Sequence, residues 1–558
     1  MAERATITPF LSISGQIQPD DVPELARAGV QTIINNRPDD ESDDQPRSAE
    51  LEAAARGQGL NYIHQPVVSG RITDDNVAEF RRLFDEVQGP VHAFCRSGMR
   101  SISLWALSRA PHDSVDSIIQ AAADHGYDLG GIRERLEATA GSRETSGSDA
   151  AAFDVLIIGG GAAGLASAAS LIKRRPGLSV AVVEPRDQHY YQPAWTLVGG
   201  GTFDPADTER SMASVIPRGC KWIRAAAAGF EPDNNTVVLE DGERVRYSSL
   251  IVAPGLKLDW DAIEGLRETL GSHGVTSNYR FDLAPYTWEL VQNLRGGKAL
   301  FTQPPMPIKC AGAPQKAMYL SCDHWLRQGA LNNIKVEFNN AGGVLFGVET
   351  FVPPLMQYVE KYGIHLAFKH NLVKVDGPAR KAWFEVTDEQ GQVSTVEKDF
   401  DMLHVCPPQK APDFIRESPL ANDAGWVDVH PETLQHPRYR NVFALGDACG
   451  APNAKTAAAV RKQAPVVAEN LLAARDAHTL NTLYDGYGSC PLTVEKGKVV
   501  LAEFGYGGKL LPTFPLRPDV PRRSMWLLKE KLMPWIYFDL MLKGREWLVN
   551  TEHGTPGE

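Results

Sequence analysis

The stretch from Phe153 to Glu184 constrains this chain most. Phe153-Asp154-Val155-Leu156-Ile157-Ile158 is a short apolar run, the pattern of a strand buried on both faces of a parallel sheet. It leads directly into Gly159-Gly160-Gly161-Ala162-Ala163-Gly164, a G-x-G-x-x-G, and then into a helical segment from Leu165 to Lys173. Gly159 suits the tight turn, Gly161 lets backbone approach a pyrophosphate, and Gly164 lets the helix lie against the strand. The amides at Ala162 and Ala163 open a helix whose amino end favours that anion. A second apolar strand, Leu178 to Val183, ends at Glu184, where a carboxylate would meet ribose hydroxyls. The pattern calls for a Rossmann-type α/β domain beginning near residue 153.

Two later segments extend the pattern. Leu250 to Gly255 is an apolar strand closing on Ala253, Pro254 and Gly255, and Asn441 to Asp447 is another, closing on Gly446 and Asp447. A helix from Thr456 to Leu472 follows, with Lys455 before it. The three segments together resemble the two-dinucleotide-binding-domain flavoproteins. That resemblance implies bound FAD, with Asp447 on the ribityl chain and the amino end of the Thr456 helix under the isoalloxazine. Such proteins carry a second glycine trio for a nicotinamide, expected here between 298 and 350. Instead, the strand Lys298 to Thr302 is followed by Gln303-Pro304-Pro305-Met306-Pro307-Ile308-Lys309-Cys310. Proline has no N–H to offer a phosphate, and Gly342, Gly343 and Gly347 are too widely spaced. A nicotinamide is therefore not the expected electron donor.

Four runs carry a closer resemblance: His189 to Gly201, Pro307 to Leu320, Gly446 to Val460 and Gly486 to Leu492. They resemble the sulfide:quinone oxidoreductases, in the branch that includes the mitochondrial enzyme, over about residues 153 to 545. The resemblance implies FAD-dependent oxidation of hydrogen sulfide, with two electrons passed to membrane ubiquinone and Gln192 among the flavin-site residues. It further implies a redox cysteine pair that carries sulfane sulfur to a small thiol or sulfite. Cys310 matches the first cysteine, and Lys309 beside it favours a thiolate. The second is expected directly after the Gly-Asp, but Ala448 intervenes and the thiol is Cys449, with Cys406 its competitor. Cys490 matches a family position without a redox role, and Cys220 and Cys322 read as ordinary buried thiols. Two other readings stay open: a type II NAD(P)H:quinone oxidoreductase, and a non-catalytic persulfide-sensing or scaffold flavoprotein.

Ahead of this lies a different α/β segment. Gln31 to Asn36 and Val91 to Cys95 read as strands, and the second ends in Cys95-Arg96-Ser97-Gly98-Met99-Arg100-Ser101 before a helical Ile102 to Leu107. A cysteine at a strand-to-helix turn sits among amides that bind an oxyanion, and Arg100 adds a bidentate clamp. With Ser14-Gly15-Gln16 and Asn36-Arg37-Pro38-Asp39, this resembles small phosphatase-like domains of tyrosine-phosphatase-like fold. Phosphatase loops place five residues between Cys and Arg; here there are four, and Phe94 replaces the usual His. The shorter loop resembles that of rhodaneses, which implies persulfide transfer at Cys95.

Composition completes the outline. Among 558 residues only seven are cysteine, which excludes a disulfide scaffold. The net charge of −12 excludes general nucleic-acid binding. No metal site is expected. Pro521 to Trp547 departs from the average, with six basic residues against three acids and three of the eleven tryptophans. Such a segment suits a membrane headgroup layer. The absence of a signal peptide or a long apolar run suggests peripheral attachment on the cytoplasmic side. The expected fold class is α/β: a phosphatase-like domain (1–138), a linker (139–152), and an FAD-binding domain in two parts (153–297 and 401–480). A second Rossmann-like domain carries the redox cysteine (298–400), and a quinone- and membrane-associated region ends the chain (481–558). The partners expected are hydrogen sulfide, quinone, a small acceptor, a membrane surface and a second copy as a homodimer.

Overall fold

The computed structural model describes residues 4–8, 10–87, 89–110, 115–141, 152–549 and 551–557. Most of the expected linker at 139–152 lies outside the described residues. The chain forms two compact units, Met1–Asp149 with Ala473–Thr479, and Ala150–Leu472 with Leu480–Glu558.

The first unit is built on a five-stranded sheet. Its order is Ala5–Thr8, Leu11–Ser14, Val91–Phe94, Thr32–Asn35, Asn61–His64, with only the first pair antiparallel. The short inner strands Thr32–Asn35 and Val91–Phe94 are buried along their whole length, polar Thr32, Asn35 and His92 included. The helix Met99–Arg109 leaves the sheet directly after the Cys95 turn and contributes Ile102, Leu104 and Leu107 to the core.

The second unit contains one mixed sheet with a parallel centre and one all-parallel sheet. In the first, Ala152–Ile158 lies between Val180–Val183 and Arg244–Val252, and Val442–Ala444 pairs parallel with the far side of Arg244–Val252. The three sequence segments read as one dinucleotide site therefore end at the same edge, although nearly 300 residues separate the first from the last. The helix Ala162–Arg174 begins at the glycine turn. The second sheet runs Val275–Thr276, Met402–His404, Gly297–Gln303, Ile334–Asn340, His365–Phe368, all parallel. A three-stranded antiparallel sheet, His370–Asp376, Lys381–Thr387 and Val393–Asp399, is inserted before its last-formed strand. The helix Ala313–Arg327 covers the second sheet, and the hairpin Gly488–Glu495/Lys498–Phe504 packs on that helix and shares its core through Cys490, Leu492, Val500 and Ala502.

The C-terminal segment from Arg523 to Lys543 is helical. One face buries Met525, Trp526, Lys529, Tyr537 and Leu540, and the other exposes Leu527, Leu532 and Trp535. Among the described residues no helix is long and apolar enough to cross a membrane.

Candidate active site

The dinucleotide cradle follows from close packing. A side chain at Gly164 would put its Cβ 1.8 Å from the Gly159 carbonyl oxygen, so only glycine lets this helix reach the strand. At Gly161 nothing lies within 4 Å, which leaves room for a pyrophosphate before the helix amides. Ala253 closes the turn by donating its N–H to Ile158 at 2.8 Å, and Pro254 and Gly255 follow half-buried. The Glu184 carboxylate accepts from the N–H groups of Gly160 and Arg186 at 2.8 and 3.0 Å, fixing it at the glycine turn with lone pairs to spare for ribose hydroxyls.

At the far strand, half-buried Asp447 has no hydrogen-bonded carboxylate partner among the described residues. Burial raises its pKa, against the pull of Lys309 and Lys455. An unpaired carboxylate of this kind fits a polyol, and the donor set fits FAD. Lys455 spans the loop beside it, donating to the Asp447 and Cys449 carbonyls at 2.8 Å each. Thr456 accepts from the Ala459 N–H and caps the helix Ala457–Arg475. Lys309 donates to the Gln192 side chain at 2.5 Å and lies over the rings of Trp195 and Tyr279.

Cys310 is built differently from its surroundings. It has φ of 49°, a left-handed conformation that costs a non-glycine residue about 1 kcal/mol. Backbone bonds hold it there: its N–H donates to the Lys455 carbonyl at 2.8 Å, and its carbonyl accepts from Ala313 at 2.7 Å. The sulfur thus sits just before the amino end of the helix Ala313–Arg327, and Lys316, on the first turn, points its ammonium back at Sγ from 2.9 Å. Lys316 is 3% exposed.

The thiol facing Cys310 is Cys490. The two side chains meet at one apolar cluster, and the consequence is asymmetric. The Cys490 S–H and the Lys316 ammonium hold Cys310 well below the usual thiol range. The neighbouring Cys310 thiolate, with burial, pushes Cys490 well above it. The pair is therefore one thiolate and one thiol. Gly312 permits the approach: a Cβ there would meet Leu492 at 2.3 Å and the Cys490 Cβ at 3.7 Å.

The two thiols favoured by sequence lie elsewhere. Cys449 is fully buried, and its sulfur accepts from the Ala451 N–H at 3.4 Å. Burial raises its pKa, Lys455 is the cation acting on it, and Cys310 is not among its interactions. The residue inserted after Asp447 turns this side chain away, so the expected Cys310–Cys449 pairing gives way to Cys310–Cys490. Cys406 is nearer: it packs in the cluster that Cys310 borders and accepts from Gln409 at 3.8 Å. Burial pushes it up to about 12, and it makes no hydrogen bond to Cys310. Cys220 is half-buried and Cys322 buried; burial raises both.

In the first unit, Cys95 is buried at the start of its turn. Arg100 donates to the Val67 carbonyl and to Glu41, each at 2.8 Å. Arg37 reaches the same Glu41 oxygen at 2.8 Å and also binds Gln16 and Ser42. His92, beneath the turn, lies between Ser12 and Ser14, and burial pushes its pKa down to about 3, so it is neutral.

The model for the phosphatase-like domain of beta-lactamase hydrolase-like protein matches residues 3–112, and that for pyridine nucleotide-disulphide oxidoreductase matches residues 153–287. The mitochondrial sulfide:quinone oxidoreductase of Mus musculus is 40% identical over 392 residues, covering 70% of this chain and 87% of its own. The beta-lactamase hydrolase-like protein of Xylella fastidiosa is 40% identical over 125 residues, 22% of this chain and 28% of its own. The structure of the sulfide:quinone oxidoreductase from Aquifex aeolicus superposes with a TM-score of 0.60 at 20% identity, over 73% of this chain and all of that one. With a flavin cradle, no nicotinamide glycine trio and a paired thiolate and thiol in one unit, the chain belongs to the sulfide:quinone oxidoreductase family of FAD-dependent oxidoreductases.

Proposed function

We propose that this chain oxidises hydrogen sulfide and delivers the electrons to membrane quinone, with sulfane sulfur carried on Cys310 and Cys490. The observation that carries the reading is the Lys316 ammonium 2.9 Å from Cys310 Sγ, with Cys490 in the apolar cluster that Cys310 packs against. When the pair is a disulfide, hydrosulfide attacks Cys490 and the Cys310–Cys490 bond breaks. Cys310 is the better leaving group, because the thiolate with the lower pKa departs faster. Cys490 is left as a persulfide and Lys316 holds the Cys310 thiolate. A small thiolate or sulfite then attacks the outer sulfur and leaves Cys490 as thiolate. The glycine turn, Glu184 and Asp447 would hold FAD, which would supply the two-electron acceptor needed to restore the disulfide and pass the electrons to quinone.

The exposed Leu527, Leu532 and Trp535, with flanking basic residues, support peripheral attachment to a bilayer where quinone is available. For the first unit, the four-residue spacing between Cys95 and Arg100 supports sulfane-sulfur transfer over phosphate-ester hydrolysis. The test is anaerobic: excess sulfide, which also serves as the sulfur acceptor, added to the purified holoprotein bleaches the flavin absorbance, and NADH does not. Cys310→Ser abolishes bleaching by sulfide while the flavin stays bound. Bleaching by NADH alone would overturn the proposal. Thiosulfate sulfurtransferase activity that disappears in Cys95→Ser checks the first unit, and phosphate-ester turnover in its place would refute that assignment.

A further inference from the structure

Two lysines face the cysteine pair, and the reading above uses only one. Lys529 comes from the C-terminal segment, is 5% exposed, and donates to the Pro491 carbonyl at 3.1 Å, beside Cys490. The titratable groups around it are Lys316, Cys310 and Cys490. Among the described residues no carboxylate pairs with either lysine. Two adjacent buried ammoniums repel strongly, and one thiolate can balance only one of them. Lys316 is the lysine aimed at Cys310, and the thiols raise its pKa against the cost of burial. Lys529 is the one left to lose its proton. Burial and the Lys316 charge indeed push it well below the usual lysine range.

We propose that Lys529 is the proton acceptor of the sulfur half-reaction, its neutral amine taking the proton of hydrogen sulfide, or of the acceptor thiol, as it arrives at Cys490. The inference rests on the Cys310–Cys490 reading. Hydrogen sulfide gives its proton to the Lys529 amine and becomes hydrosulfide. Hydrosulfide forms the new S–S bond to Cys490 as the bond to Cys310 breaks, and the electron pair leaves on Cys310. The Lys529 proton returns to solvent before the next turnover, so no further oxidant or reductant enters. The placement also ties the chemistry to the membrane segment, since Leu527 and Leu532 on neighbouring turns are exposed.

The experiment uses reduced and oxidised holoprotein with Lys529→Met and Lys529→Arg. In rapid mixing with sulfide, flavin bleaching by K529M should fall about tenfold one pH unit below the first pKa of hydrogen sulfide, track the hydrosulfide fraction as pH changes, and recover with added methylamine. K529R, charged but unable to accept a proton, should be equally slow. A second readout needs no turnover: the pH midpoint of Cys310 alkylation in reduced protein. It should stay within about half a pH unit of wild type in K529M and drop by about one in K529R. An upward move of one unit or more in K529M would mark Lys529 as a fixed cation and overturn the inference, as would a K529M bleaching profile identical to wild type. If sulfide fails to bleach even wild type at any pH, the underlying sulfide reading falls instead.

Discussion

Cys95 and Cys310 occupy similar backbone settings and differ in what their cations do. Each lies at a turn just ahead of a helix, Met99–Arg109 in one case and Ala313–Arg327 in the other, and each has a basic residue on the first helical turn or close to it. At Cys95 that cation, Arg100, is bound by Glu41 and the Val67 carbonyl, and Arg37 shares the same carboxylate. At Cys310 no carboxylate among the described residues competes, and the Lys316 ammonium lies on the sulfur. The local loop is thus only half of a reactive cysteine. The other half is whether the neighbouring charge has already been answered by the protein.

The largest effect that would break this contrast comes from the choice of partner thiol. Cys490→Ser should lower sulfide-dependent flavin reduction by about 10³-fold or more, whereas Cys449→Ser should stay within about threefold of wild type. The reverse ranking, measured by rapid mixing, would dismiss the pair. Next comes the cation. Because Cys310 is held below the usual thiol range, its thiolate survives acidification through that range and disappears only as pH falls through the lowered value. Lys316→Met should move the alkylation midpoint upward and cut reactivity at neutral pH about tenfold. An unmoved midpoint would assign the effect to Cys490 and the helix end alone. The smallest effect sharpens the Cys95 side. Glu41→Gln removes the carboxylate shared by two buried guanidiniums, which should cost about 1–2 kcal/mol in thermal unfolding and speed Cys95 alkylation. Unchanged alkylation would mean that Glu41 does not restrain Arg100.

The fold was legible because its determinants are local. The Phe153–Ile158 strand, the glycine turn and Glu184 are adjacent in sequence and carry their spacing with them. The prolines at 304, 305 and 307, directly after the strand Gly297–Gln303, argue against a nicotinamide loop there in just as short a span. The identity of the second thiol was not legible in that way. Cys490 reaches Cys310 through a hairpin packed on the helix Ala313–Arg327, a tertiary contact that no local spacing encodes. Cys449 looked better only because it adjoins Asp447. One signal was present: Gly312, two residues past Cys310, marks a place where another segment comes close, although it does not say which segment. Lys529 was counted as one more charge of a basic tail, because burial of a lysine cannot be read from the segment that carries it.

The bond from the Cys310 amide to the Lys455 carbonyl has a mechanical consequence. It fastens the sulfur's backbone to the same loop that carries Asp447, so the placement of the sulfur relative to the dinucleotide cradle is set by a single short splice of main chain. A one-residue insertion between Asp447 and Lys455 would leave every catalytic side chain in place in the sequence and still misalign the sulfur. Amide exchange at Cys310 should therefore slow when flavin binds, since filling the cradle stiffens the peptide that holds it.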